Sequence, residues 1–380
     1  MADDHTLETP ALPSFKKAFL GIQGFLFFTA LGVILAICWK APASFRILWE
    51  HTHPLFLLIL VPLVGLDYLL GGLRFRLFFD GRILPDISLW NCMRSNLANI
   101  FMAAITPGQT GGGPAQLYIL WRCGAKVSQA ALISLVNFAA TLLFFLIASL
   151  ISWALLPSHL WGENFVPIMQ TGLLVLATMI SLVLLVIMFP SIGLVLVKQL
   201  FRVVPVRLLR LESFRDRLLA TLNLEIQHFR QIFREILQAR KMVLLVTVLV
   251  TVALYSNKYL MAYVIARALD QPVPFGIFFG LQIIQYVLIY FAPTPGASGL
   301  AEISSSWLMN PLMSAQVLVY YAVVWRFFTT FLGAFLGGYI FFLDLRSWVK
   351  KPASVKKDKD IVESQLLASR VENGKPDRRA

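Results

Sequence analysis

Two stretches carry the same pattern of breakers and small residues. Thr106-Pro107-Gly108-Gln109-Thr110-Gly111 and Thr294-Pro295-Gly296-Ala297-Ser298-Gly299 both read T-P-G-x-[T/S]-G, offset by 188 residues. Gly108, Gly111 and Gly112 in the first, and Gly296 and Gly299 in the second, allow backbone N–H groups to approach a ligand closely. The helix predicted after each break aims its positive end at the same point. That is chemistry for an anion. Three charged residues lie deep in the neighbouring apolar sequence: Lys258, Glu302 and Arg326. A charge at the bilayer centre costs roughly 2.5–3.5 kcal/mol on insertion scales, so such residues face a protein interior and mark a pathway. Arg326 is the first choice for a phosphate, which a guanidinium grips with two parallel hydrogen bonds. Glu302 is read as a gating ion-pair partner of Arg326 or Lys258, or as a proton carrier. Lys258 lies nearer the outer surface, where a lysine can extend its amine to water. Thr106, Gln116, Tyr118, Thr294 and Ser298 add neutral hydrogen-bonding groups beside the breaks. Asp67, near the end of an apolar run, is read as interfacial and solvated.

The elements that must position these residues are membrane helices. The chain is 58% hydrophobic and 14% charged, with a mean hydropathy of +0.73. Several apolar runs exceed the roughly 18 residues that mark a membrane span. The run at 18–39 follows an acidic leader and has no small-residue cleavage site, so it is predicted to remain as a span and not to act as a signal peptide. Further spans are predicted at about 54–73, 129–156, 166–190, 242–266 and 315–343. Between them lie two re-entrant hairpins, 88–122 and 274–311, each interrupted by its T-P-G break. Irregular backbone at membrane depth is tolerated only where protein encloses it.

The 188-residue offset also superposes the run at Pro54 on that at Met242, and the run at Gln129 on that at Val317. The expected architecture is therefore an all-α polytopic membrane protein of six full spans and two re-entrant hairpins in an inverted repeat. It divides into a leader (1–17), a first repeat (18–156), an outer loop with the fourth span (157–197), a basic segment (198–241), a second repeat (242–345) and a disordered tail (346–380). Such repeats build transport sites at the bilayer midplane.

The net charge of +13 reports topology and not nucleic-acid binding. Ten of the 33 Lys and Arg fall between Lys198 and Lys241, and ten from Arg346 onward. Positive residues accumulate on the cytoplasmic side, so a multi-pass protein of the cell inner membrane with both termini cytoplasmic is expected. Segment 198–241 repeats apolar residues at spacings of three and four. It is read equally as a helix lying on the membrane surface or as a helical hairpin packed on itself. The three cysteines and scattered histidines form no metal site. There is no Ser/His/Asp set, no carboxylate pair flanking a cleft and no Walker loop, so neither an enzyme nor a cofactor is expected.

Thr106–Leu120 (TPGQTGGGPAQLYIL), Pro293–Glu302 (PTPGASGLAE) and Trp325–Thr329 (WRFFT) resemble the lysylphosphatidylglycerol synthase transmembrane-region family over about residues 15–345. Glu302 matches an acidic residue of the family's second motif, and Trp325 and Arg326 match its Trp-Arg pair. Gly113 stands where many relatives carry Gln or Glu. The resemblance implies a membrane unit that translocates phospholipids. The chain stops about 35 residues after its last span, so the attached synthase domain of such relatives is expected to be absent. The function expected is a flippase for an anionic lipid, with membrane lipids as partners and a homodimer or a lipid-modifying enzyme as further candidates. The alternative is a non-transporting scaffold for such an enzyme.

Overall fold

The computed structural model describes residues 53–157, 165–191 and 212–349. Among them the ordered elements are helices and helical turns, with no strand. In chain order they are α1 (Pro54–Arg76), α2 (Leu89–Ile105), α3 (Gly112–Arg122), α4 (Val127–Leu155), α5 (Phe165–Met188), α6 (Glu212–Ala239), α7 (Lys241–Ala268), α8 (Phe275–Tyr290), α9 (Leu300–Leu308), α10 (Ala315–Arg326) and α11 (Leu332–Val349). Short 3-10 turns occupy Pro107–Gln109 and Pro295–Ala297, and a π-helical turn, Phe327–Phe331, joins α10 to α11. Five helical stretches are long and apolar enough to cross a membrane: Leu58–Arg76, Val127–Leu155, Met169–Met188, Lys241–Ala268 and Ala315–Arg346. They coincide with five of the six expected spans. The run at 18–39, the leader and the tail beyond residue 349 lie outside the described residues. The helical exterior carries exposed Leu58, Leu150, Leu174, Met242 and Phe335, an apolar surface too extensive for a protein bathed in water.

The repeat is visible in how the helices pair. Helices α1 and α7, related by the 188-residue offset, pack side by side. Helix α11 packs on α2, and its counterpart α4 packs on α8. The last span of each half therefore grips the broken hairpin of the other. Small residues allow the grip. A Cβ added at Gly337 of α11 would lie 2.1 Å from the Leu97 carbonyl oxygen of α2, and Gly333 one turn earlier continues the small-x-x-x-small spacing that lets membrane helices approach closely.

Of the basic segment expected at 198–241, the part described from residue 212 onward packs on the helices of the first half. The C-terminal part of α6 packs Phe229, Ile232 and Ile236 against Phe78, Phe79, Leu84, Ala130 and Ile133, at the basic ends of α1 and α4. Arg240 fastens this cap to Asp80 by two hydrogen bonds of 2.9 and 2.6 Å. Burial works to raise the Asp80 carboxyl, but Arg240 and Arg82 outweigh it and hold the pKa below the usual carboxylate value. A depressed acid contributes stability above its unfolded pKa and loses it as pH falls through the folded one. Arg94 of α2 and Arg122 of α3 both reach Asp344 of α11, at 2.6 and 2.9 Å, and clamp the first hairpin at its basic end.

Gly337→Ala is expected to cost about 1–3 kcal/mol, the range for overpacking, because the atom it meets is backbone. Gly65→Ala, where nothing lies within 4 Å, should be neutral or mildly stabilising. Thermal unfolding of the two variants in detergent decides; equal midpoints would show that the α2–α11 approach is not tight.

Candidate functional site

The two breaks share one backbone conformation. Gly108 (φ 58°, ψ 20°) and Gly296 (φ 56°, ψ 22°) lie in the left-handed region, followed there by Gln109 (φ 58°) and Ala297 (φ 59°). Glycine adopts this freely, whereas each of the two non-glycine residues costs roughly 1–2 kcal/mol. The paths then separate, with ψ at −25° for Thr110 and 143° for Ser298. The breaks also touch. The Gly108 N–H donates to the Pro293 carbonyl at 2.9 Å, and the Gln109 amide nitrogen to the Ile289 carbonyl at 3.4 Å.

Most backbone donors at the breaks are spent within the protein. The Gln109, Thr110, Ala297 and Ser298 amides close their own turns. Thr106 donates to the Met102 carbonyl at 2.6 Å and accepts from the Gly111 N–H at 2.8 Å, while Thr294 donates to the Ser298 carbonyl at 2.8 Å. Gly299 (φ 85°) gives its N–H to Glu302 Oε2 at 2.7 Å. A protein carboxylate thus sits at the positive end of α9, where the sequence pattern placed a ligand anion. Gly111 and Gly112 serve packing, since an added Cβ would come within 2.6 Å of Thr106 and 2.9 Å of Asn99 respectively. The positive charge open to a ligand therefore belongs to side chains.

Those side chains meet in a cavity of about 300 Å³ beside the joined breaks. Both halves line it, and several lining positions are offset partners: Asp67 with Tyr255, Gln109 with Ala297, Asn137 with Trp325, Phe138 with Arg326, and Thr141 with Thr329. Arg326, only 3% exposed, donates from Nε to Glu302 Oε1 at 3.2 Å, from Nη2 to the Gly296 carbonyl at 2.7 Å, and from Nη1 to Thr330 Oγ1 at 3.2 Å. Ser298 Oγ lies 3.5 Å from the same Nη2. Widening of the helix over Phe327–Phe331 lets both Thr329 and Thr330 line the cavity with Arg326; such π turns often mark functional sites.

Lys258 does not extend to the surface. Its Nζ lies 2.7 and 2.8 Å from the two Asp67 oxygens, an ion pair joining α7 to α1 within the cavity wall. Asp67, 4% exposed, is accordingly not interfacial. Gln116 lines the cavity and accepts from Asn99 at 3.1 Å. Tyr118 stands apart, packed behind the breaks on Phe341 and Trp121.

Arg74 was hidden from sequence reasoning, because it reads as one of the cations that end a span. It is 8% exposed and lines the cavity. Its Nη2 donates to Thr141 Oγ1 at 2.8 Å and to the Asn137 carbonyl. Its Nε has no partner. Among the described residues no carboxylate faces it, in contrast to Lys258 and Arg326. The aromatic lining from the second half, Tyr255, Tyr286, Tyr290 and Trp325, likewise escaped notice, since aromatic residues in apolar helices read as packing. One usable signal did exist: Asp67 and Lys258 are the deep charges of two offset-related helices.

The sequence profile of the lysylphosphatidylglycerol synthase TM region family matches residues 24–337. A UPF0104 membrane protein of Archaeoglobus fulgidus is 26% identical over 272 residues, which is 71% of this chain and 80% of that relative.

Breaking a buried ion pair by removing one partner costs roughly 3–5 kcal/mol, more than replacing both partners with apolar groups. Glu302→Gln should lower the thermal midpoint sharply, and Glu302→Leu combined with Arg326→Met should recover part of the loss. A Glu302→Gln protein as stable as the parent would mean that Arg326 is neutralised in some other way.

Proposed function

The chain belongs to the lysylphosphatidylglycerol synthase TM region family, and from that premise we propose that it carries an anionic lipid head group between the two leaflets by alternating access. The observation that carries this reading is Arg74, a buried guanidinium on a cavity wall with an unpartnered Nε and no facing carboxylate among the described residues. A buried cation without a counter-charge is costly. A phosphate arriving from a lipid would relieve that cost with charge-assisted hydrogen bonds. Arg326 and Lys258 add positive potential nearby, each already balanced by its own carboxylate. The cavity wall is shared between offset-related positions, as a site that opens alternately to two sides requires.

In the same reading the unit is six full spans and two re-entrant hairpins in an inverted repeat, embedded in the cell inner membrane. Both termini lie in the cytoplasm, where the Lys and Arg excess belongs. The α6 cap then packs over the cytoplasmic ends of α1 and α4.

The test is leaflet exchange of a labelled anionic phospholipid in reconstituted vesicles. Loss of a hydrogen-bonded charge contact is worth about 1.5–3 kcal/mol, so Arg74→Gln should slow exchange by roughly ten- to a hundredfold, with Arg74→Lys in between. Both variants should keep the parent's elution profile. Equal exchange in empty and protein-containing vesicles would defeat the proposal.

A further inference from the structure

The cavity differs from one half of the chain to the other, and the difference bears on which head group fits. The first half supplies neutral hydrogen-bonding groups: Asn96, Asn99, Gln109, Gln116, Ser134 and Asn137. Two of their atoms have no protein partner. Ser134 Oγ and Asn137 Oδ1 are buried without one. Such groups demand water or a polar guest, because a buried donor or acceptor left unmade costs more than the bond would contribute. The second half supplies aromatic faces, Tyr255, Tyr286, Tyr290 and Trp325, joined by Phe138 of the first half, which stacks on Tyr290 at 6.2 Å and 18°.

Charge narrows the choice further. The lining cations are Arg74, Lys258 and Arg326; the carboxylates are Asp67 in the wall and Glu302 behind Arg326. Among the described residues two ion pairs form at the cavity, and Arg74 remains. One uncompensated positive charge matches one negative charge on the guest. An ammonium-bearing head group would meet three cations, and both nearby carboxylates are already bridged. A phosphate monoester would bring more charge than Arg74 balances and no hydroxyls for the amide side.

Resting on the transport reading above, we infer that the cavity selects a lipid whose head group is a singly charged phosphodiester bearing an uncharged polyol. The phosphate pairs with Arg74, the hydroxyls exchange hydrogen bonds with Asn96, Gln116, Ser134 and Asn137, and the carbon skeleton lies against the aromatic faces. Amine-bearing and bare-phosphate lipids are disfavoured by the same groups.

The full chain should be purified with an equimolar mixture of phosphatidylglycerol, phosphatidylethanolamine, lysyl-phosphatidylglycerol, phosphatidic acid and phosphatidylcholine, and retained lipids quantified by mass spectrometry. Two or more hydrogen bonds at about 0.5–1.5 kcal/mol each predict retention of phosphatidylglycerol roughly tenfold over the amine-bearing lipids and phosphatidic acid. Gln116→Met and Ser134→Ala, which remove polar atoms and leave the ion pairs intact, should narrow that ratio toward one while the protein keeps its unfolding midpoint. Arg74→Gln should lower retention of every anionic lipid. Retention of all anionic lipids alike, or preference for lysyl-phosphatidylglycerol, would overturn the polyol assignment and leave the transport reading standing. Retention of no anionic lipid above phosphatidylcholine would overturn both.

Discussion

The structure turns on a requirement of backbone chemistry: chain that leaves helical geometry inside a membrane must find every hydrogen-bond partner within the protein. Two departures from helical geometry, at Gly108 and Gly296, answer each other's need by lying together. The Gly108 amide takes the Pro293 carbonyl, and the Gly296 carbonyl takes the Arg326 guanidinium. Arg326 in turn requires Glu302, and Glu302 requires the Gly299 amide to satisfy its second oxygen. The ion pair at the second break is thus one link in a closed circuit of buried polar groups. Such circuits are strong when complete and fragile when any member is lost.

The hairpins are held by crossing over. Helix α11 packs on α2 and α4 packs on α8, so each half contacts the other half's hairpin. Asp344 strengthens one side of this exchange by binding Arg94 and Arg122 together. No ion pair at the offset-related positions matches it, since they carry Gln282, Asn310 and Leu156. The two halves therefore share their helix pairing and differ in charge.

Much of this was legible in the sequence, for reasons that differ by element. The spans show through because lipid enforces long apolar runs, and the breaks show through because the T-P-G pattern recurs at a fixed offset. Glu302 and Arg326 were legible as charges that apolar surroundings could not leave single. The pairing of Lys258 with Asp67 was not, because a charge two turns from a helix end can reach water or a neighbour, and only packing decides which. Arg74 was invisible for a related reason: a cation closing an apolar run has the same appearance whether it faces solvent or a cavity. The fate of α6 depended on Phe78, Phe79 and Ile133 offering an apolar seat, a fact no single-helix pattern contains.

A cavity walled by two buried ion pairs raises the question of why the pairs persist, since apolar replacements of similar volume often stabilise a fold. Stability alone does not explain them. Lys258–Asp67 joins α7 to the distant α1, and Arg326–Glu302 joins the consecutive helices α10 and α9. Each also stands where it raises or cancels potential at the cavity wall. Had all three cations been paired, the cavity would be neutral and indifferent to phosphate. Had none been paired, the cost of burying three positive charges would exceed what a single head group could return. Two pairs and one remaining guanidinium lie between these limits. That arrangement leaves about one positive charge unbalanced on the described cavity wall, which under the transport reading is the differential interaction a guest must supply to change the balance between conformations.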